Sequence, residues 1–259
     1  IFTAESDDFL NWTEGRPLQY PGGIPTQLYT NNVHPYYRAP HIYLGFPTRY
    51  IERQWSQAIE ALPELEHRQL RAKRLPRLGS ALTDNLFMAS RDGETFHRWD
   101  EAFIRPGPQL EGNWAYGDNY MGWGMIETPS GIEGAPPELS FFATENYWRE
   151  PGAIFRRYTL RIDGFVSIRT PMKGGEITTR PLLFDGTSLS LNMATSAAGS
   201  LKVEIQDQAG NPIEGYSLDD CDEVIGDELD RTVTWNGSGD LSSVAGTPVR
   251  LRFQSRDAD

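Results

Sequence analysis

Short apolar or alternating runs recur along the whole chain, separated by turns rich in Gly, Pro, Asp and Asn. In the first part they occupy residues 1–4, 28–33, 41–46, 85–89, 120–126, 139–144 and 154–162. In the last part they occupy 165–169, 175–179, 182–184, 188–194, 200–206, 232–235 and 248–253. Runs this short, bounded by turn residues and rich in aromatic and β-branched side chains, predict strands. One segment departs from that pattern. Residues 52–78 contain helix formers, with Trp55, Ile59, Leu62 and Leu65 at helical spacing. They also hold Arg68, Arg71, Lys73, Arg74 and Arg77. The segment reads as a solvated helical insertion between strands.

The turns themselves repeat. Ser6-Asp7-Asp8-Phe9-Leu10-Asn11-Trp12 is echoed by Ser90-Arg91-Asp92-Gly93-Glu94-Thr95-Phe96-His97-Arg98-Trp99. In each copy a strand ends at Ser, a polar turn follows, and a Trp opens the next strand, as in a hairpin whose indole covers its own apolar face. Antiparallel strands in groups, with a Trp-marked turn per group, predict β-propeller blades. A β-sandwich with coincidental Ser-Asp-Trp turns is the alternative. The strands of the tail, separated by turns such as Asp185-Gly186 and Ala209-Gly210-Asn211-Pro212, predict a β-sandwich of their own. The expected architecture is therefore all-β: the last blades of a propeller over 1–164, then a sandwich over 165–259. Ile1 reads as the middle of a strand, so an upstream segment or a further chain is expected to complete the propeller.

Composition narrows the partners. The 259 residues carry a formal charge of −12, which argues against a nucleic-acid backbone as main partner. No apolar run approaches the roughly 20 residues of a spanning helix. Six of the seven Trp fall before residue 164, and the tail carries 15 acids against 8 bases. A single cysteine, Cys221, excludes an internal disulfide and any zinc site built on paired thiolates. The acids around it, Asp219, Asp220, Asp222, Glu223, Asp227, Glu228 and Asp230, offer the hard oxygens calcium prefers but lack EF-hand spacing. No cofactor is expected; calcium is the one candidate, and a solvated loop is the alternative. His67 and His97 have no metal-ligand spacing.

Ser-x-Asp turns ahead of Trp, on strands followed by a sandwich-like tail, resemble the five-bladed propeller glycoside hydrolases of families 32, 43 and 68. Arg38-Ala39-Pro40-His41-Ile42-Tyr43 is similar to the family 43 strand Glu-(Gly/Ala)-Pro-x-(Ile/Leu)-Tyr. Segments 167–176, 196–199 and 215–221 resemble the carboxy-terminal part of large bacterial proteins classed as glycosyl hydrolases. The resemblance implies hydrolysis of a poly- or oligosaccharide by a secreted or periplasmic protein. It also exposes two departures: Arg38 stands where family 43 places its general acid, and the early-blade Asp nucleophile of families 32 and 68 has no counterpart here. A non-catalytic protein that binds carbohydrate or other subunits is the competing expectation.

Glycoside hydrolysis needs two carboxyl groups. Glu145 and Glu127 are the candidates, because each ends an apolar strand beside aromatic residues, where desolvation raises a carboxyl pKa. Asn31, Asn32, His34 and Arg38 form a polar cluster suited to sugar hydroxyls, and Trp123 and Trp148 to stacking on a sugar ring. Turn formation and blade packing are their structural alternatives.

Overall fold

Strands hold 41% of the residues against 6% in helices, so the chain is all-β. The computed structural model describes residues 1–150 and 152–259. Two units emerge from it, Ile1–Arg161 and Ile162–Asp259. No helix is long and apolar enough to cross a membrane.

The first unit contains β1 (Phe2–Thr3), β2 (Arg16–Pro17), β3 (Gln27–Tyr29), β4 (His34–Tyr36), β5 (Ala39–Gly45) and β6 (Thr48–Glu52). Helices α1 (Gln57–Glu60), α2 (Leu65–Ala72) and α3 (Arg77–Ser80) follow. Then come β7 (Ala81–Ser90), β8 (Phe96–Ile104), β9 (Ile126–Thr128), β10 (Glu138–Glu145) and β11 (Ile154–Arg161). β7 is buried along nearly its whole length. One edge pairs with β8; the other pairs first with β6, over 81–85, and then with β5, over 88–90. Between those partners Phe46 and Pro47 leave the ladder, and Pro47 has no N–H to offer. The Asn85 side chain donates to the Phe46 carbonyl (3.0 Å), and the Leu86 N–H to that of Pro47 (2.9 Å). The six-stranded sheet β3-β6-β7-β5-β4, with β8 on β7, curls into a half-barrel. Its aromatic core runs from Phe46 through Phe103 to Phe141 and Tyr158, with centroid spacings of 5.5, 5.6 and 5.8 Å. That stack joins the half-barrel to the three-stranded sheet β11-β10-β9.

The repeated turns adopt one hydrogen-bond scheme. In both, the serine hydroxyl receives the N–H groups two and three residues on: Asp8 and Phe9 for Ser6, Asp92 and Gly93 for Ser90. Asp Oδ1 then receives the next two, from Leu10 and Asn11 or from Glu94 and Thr95. These donors hold the Asp8 carboxyl far below its usual range and that of Asp92 down to about 2. The hairpins lie side by side, joined by Gln19 N–H to Glu94 O, Phe96 N–H to Gln19 O and the Arg16–Glu94 ion pair.

Two expectations for this unit need correction. The run 120–126 is not a regular strand; only Met121 bridges to Ala143, and β9 begins at Ile126. Gly122 and the left-handed Gly124 interrupt it. The insertion 52–78 is helical in three short pieces, but it is not wholly solvated. Arg68 is buried, donating to the carbonyls of Pro63 (2.8 Å) and Asn113 (3.2 Å), because the segment 112–124 packs over α2.

The second unit holds β12 (Gly175–Thr178), β13 (Ser190–Gln206), β14 (Asp227–Thr232) and β15 (Arg250–Ala258), in the order β12-β15-β13-β14. The candidates 188–194 and 200–206 are one long strand, β13, which pairs with β14 through its first part and with β15 through its second. A bulge between Thr195 and Ser200 separates the two. β14 was invisible to the apolar pattern because it is a charged edge strand, Asp-Glu-Leu-Asp-Arg-Thr. The candidate 165–169 contains no strand, and 182–184 contributes one bridge, Leu182 to Val249. Val203, Ile205, Val233, Trp235, Val249 and Leu251 form the core with Cys221. The Trp235 indole N–H donates to the Val203 carbonyl (2.9 Å).

Gly199 sits in the bulge, where a Cβ would overlap the Asp257 and Arg256 carbonyl oxygens. Gly199→Ala should therefore destabilise the second unit by about 1–3 kcal/mol, as overpacking does. Urea unfolding followed by exposure of the chain's single, buried thiol, Cys221, measures it; an unchanged midpoint refutes the close approach.

Candidate functional site

Residues 112–124 cross from the start of β7 to the end of β10, and two threonines anchor them. The Thr83 hydroxyl donates to the Asp118 carbonyl (2.7 Å) and accepts the Gly117 N–H (3.1 Å). The Thr144 hydroxyl donates to the Gly117 carbonyl (2.9 Å) and accepts the Tyr120 N–H (3.0 Å). Asn119 adds its amide to Thr83 O (3.0 Å) and its backbone N–H to Thr144 O (2.8 Å). Two glycines are required by contact: a Cβ on Gly117 would enter the Tyr147 ring, and one on Gly112 the Asn146 side chain. Non-glycine residues in the left-handed region gather here too: Thr30, Asn32, Glu64, Trp114, Asn119 and Asn146. Each such residue costs on the order of 1–3 kcal/mol and persists only where its surroundings over-determine it. Glu64 is one of the restraints, accepting the Gly112 N–H (2.6 Å) and pairing with Arg149 (2.8 Å).

This segment buries Asp118, 2% exposed, near enough to Glu145 for the two charges to interact. Asp118 Oδ1 accepts the Tyr147 N–H (3.1 Å), and Oδ2 has no partner among the described residues. Burial pushes its pKa up to about 7; backbone donors and the Arg71 charge oppose the rise, and the Glu145 charge adds to it. Glu145 closes β10 and stays partly accessible, its side chain 15% exposed. Its Oε1 receives Arg156 Nε (2.5 Å) and the Tyr158 hydroxyl (3.1 Å). Burial, with the Glu145 charge behind it, lifts Tyr158 to about 12. Arg71 lies 4.8 Å above the Trp148 ring, and its Nε and Nη2 lack partners among the described residues. Burial and the neighbouring Arg68 charge bring it down to about 10, which still leaves it cationic at neutral pH.

Aromatic rings line the approach. Tyr29, Tyr120, Tyr147 and Trp148 follow one another at 5.9, 6.2 and 5.2 Å, with Tyr116 6.5 Å beyond. Tyr29, Tyr147 and Trp148 present 58, 43 and 40% of their surface to solvent, enough to meet a ligand face.

Of the other residues singled out in the sequence, Asn32, His34 and Trp123 meet on the same segment. Asn32 donates to the Met121 carbonyl (2.5 Å), and Asn31 accepts the Phe46 N–H through its backbone (2.7 Å). His34 lies between Phe46 (6.3 Å) and the exposed Trp123 (5.9 Å), its Nε2 buried without a partner among the described residues. Glu127 accepts the Tyr37 hydroxyl (2.7 Å), next to the exposed Arg38. Glu127 and Glu145 do not face each other. Glu127 pairs opposite Leu139 and Glu145 ends the same strand, a separation of roughly 20 Å at about 3.4 Å per residue. Glycosidase carboxyl pairs stand about 5–10 Å apart. The carboxyl coupled to Glu145 is Asp118, which sequence reasoning missed. Its only signal was an acid within the aromatic run Trp114 to Trp123. Among the described residues no group of three or more His, Cys, Asp or Glu is placed to hold a metal ion. In the acidic run, Asp220 and Asp222 accept from Ser217, Asn236, Thr234 and Gly237.

No family model matches the chain, and no curated protein or solved structure matches it either.

Because the folded-state pKa of Asp118 lies above its unfolded value, its contribution to stability is greatest below about pH 4. It is lost as pH rises toward and through about 7. Asp118→Asn, neutral throughout, should gain on the wild type between pH 5 and pH 8, by on the order of 3 kcal/mol at ~1.4 kcal/mol per unit. Thermal unfolding of both proteins across that range reads the difference; parallel curves would exclude a buried titrating Asp118.

Proposed function

We propose that the chain is part of a glycoside hydrolase, with Glu145 the carboxyl that meets the glycosidic oxygen or the attacking water. The observation carrying this reading is the pairing of two carboxyls in unlike environments, Asp118 protonated to about pH 7 and Glu145 held by Arg156 and Tyr158. Glu145 is the accessible member that can meet substrate, and the proton that Asp118 carries to about pH 7 makes the field at Glu145 depend on pH. Beside the pair, Tyr147 and Trp148 offer exposed faces for a sugar ring, and Asn32, His34 and Trp123 extend the polar and aromatic surface along the 112–124 segment. Asp118 acts here as a positioning residue: too buried to touch substrate, it sets the field at Glu145. The half-barrel sheet with its adjoining three strands would be the last blades of a propeller, and the second unit a sandwich. A secreted or periplasmic setting goes with that chemistry.

A second reading, saccharide binding without turnover, draws on two observations: Arg156 already occupies Glu145 Oε1, and Arg38 stands where the resembling family has an acid. The two readings separate in one experiment on the full-length protein with a panel of poly- and oligosaccharides. The hydrolase reading expects Glu145→Gln to lower kcat by about 10²–10⁴ with affinity retained, and Asp118→Asn to displace the pH profile. Saccharide binding by a wild type that turns over no glycan would establish the second reading. Wild-type rates in Glu145→Gln would remove Glu145 from the chemistry.

A further inference from the structure

A cavity of about 510 Å³ lies between β6, the start of β7 and the end of β8, and neither Glu145 nor Asp118 lines it. Its volume falls within the roughly 300–1,000 Å³ of small-molecule sites. The inner polar groups are already committed. Arg49 grips Asp84 through Nε (2.8 Å) and Nη2 (2.5 Å) and donates to the Asp100 carbonyl. The Asp100 carboxylate takes the Ile24 N–H and the Arg98 guanidinium. What remains uncommitted among the described residues is a rim of exposed Arg53, Arg105 and Glu101, two cations to one anion. One wall is Trp114, whose indole N–H donates to the Gly107 carbonyl (2.8 Å). Its backbone sits at φ 61°, a conformation bulky side chains avoid, and its ring packs on Ile59, Leu62 and Leu82. A strained, pinned indole beside free guanidinia is a feature that packing alone does not call for, since any residue with a Cβ would rest more easily in another conformation.

We infer that this cavity binds a ring-bearing organic anion, with an acidic monosaccharide such as a uronate as the chemistry it fits. The apolar C–H face of the pyranose ring lies on Trp114, the carboxylate meets the planar forks of Arg53 and Arg105, and Glu101 accepts from ring hydroxyls. The pocket does not depend on the hydrolase reading, and it brings a second ligand to the same unit.

Isothermal titration of the full chain with D-glucuronate and with D-glucose tests this. Glucuronate should bind at least about tenfold more tightly than glucose, the least that one charge-assisted hydrogen bond supplies. Arg53→Ala/Arg105→Ala should erase that preference, and Arg53→Lys/Arg105→Lys should keep part of it. Both pairs are exposed, and thermal unfolding will report that the variants fold. Glu145→Gln should leave glucuronate affinity unchanged, which separates this pocket from the Glu145 site. Equal affinity for the two sugars, no glucuronate binding, unchanged binding in the double alanine variant, or loss of binding in Glu145→Gln would each overturn the assignment.

Discussion

β7 is held along both edges, and the first unit is organised by the need to satisfy that buried strand. A fully buried strand must pair every N–H and carbonyl, and this one does so with three partners rather than two. The hand-over from β6 to β5 happens at Phe46-Pro47, opposite Asn85. There a side-chain amide and one backbone bond replace the missing ladder. A sheet interrupted in this way bends, and the bend seats Phe46 against Phe87 and Phe103. The curl, the aromatic core and the place of β10 are thus consequences of one local accommodation.

The 112–124 segment depends on the same strand. Thr83 faces it from β7 and Thr144 from β10, and their hydroxyls act as donor and acceptor at once, replacing ladder bonds that an irregular chain cannot make. Such anchoring offsets the left-handed residues gathered around it. It also explains why Asp118 is buried: its carbonyl and the Gly117 N–H are fixed to Thr83, so the carboxyl has little freedom to reach water.

Charge distribution separates two chemical neighbourhoods in one unit. Around Glu145, burial works against charge, raising Asp118 and Tyr158 and lowering Arg71. On the floor of the cavity beside Trp114, cross-strand neighbours Arg49 and Asp84 neutralise each other, leaving Arg53, Arg105 and Glu101 as the charges without partners among the described residues. The duplicated Ser-x-Asp turns belong to neither. Their carboxyls are consumed by backbone N–H groups, so those acids serve the hairpins.

The sequence alone determined that the chain is built of strands, because short apolar runs between turn residues have few other stable uses. It also determined the paired Ser-x-Asp turns, whose hydrogen bonds are local, but not the place of their tryptophans: Trp12 lies before β2 and outside any strand, and Trp99 lies inside β8 rather than opening it. The helical nature of 52–78 was legible for the same reason: periodicity is a local property. The position of Glu145 at a strand end could also be read, since Leu139 to Thr144 is a clear apolar run. Tertiary structure decided the rest. β14 is an edge strand that buries too little to show a pattern, and 120–126 lost its ladder to glycine backbones held by distant threonines. Arg68 became an interior residue only because a segment 45 positions away offers it a carbonyl. Asp118 acquired its raised pKa from burial that no neighbour in the chain imposes. Local hydrogen bonds and periodicity are written along the sequence, whereas desolvation and charge pairing depend on which remote groups the fold brings together.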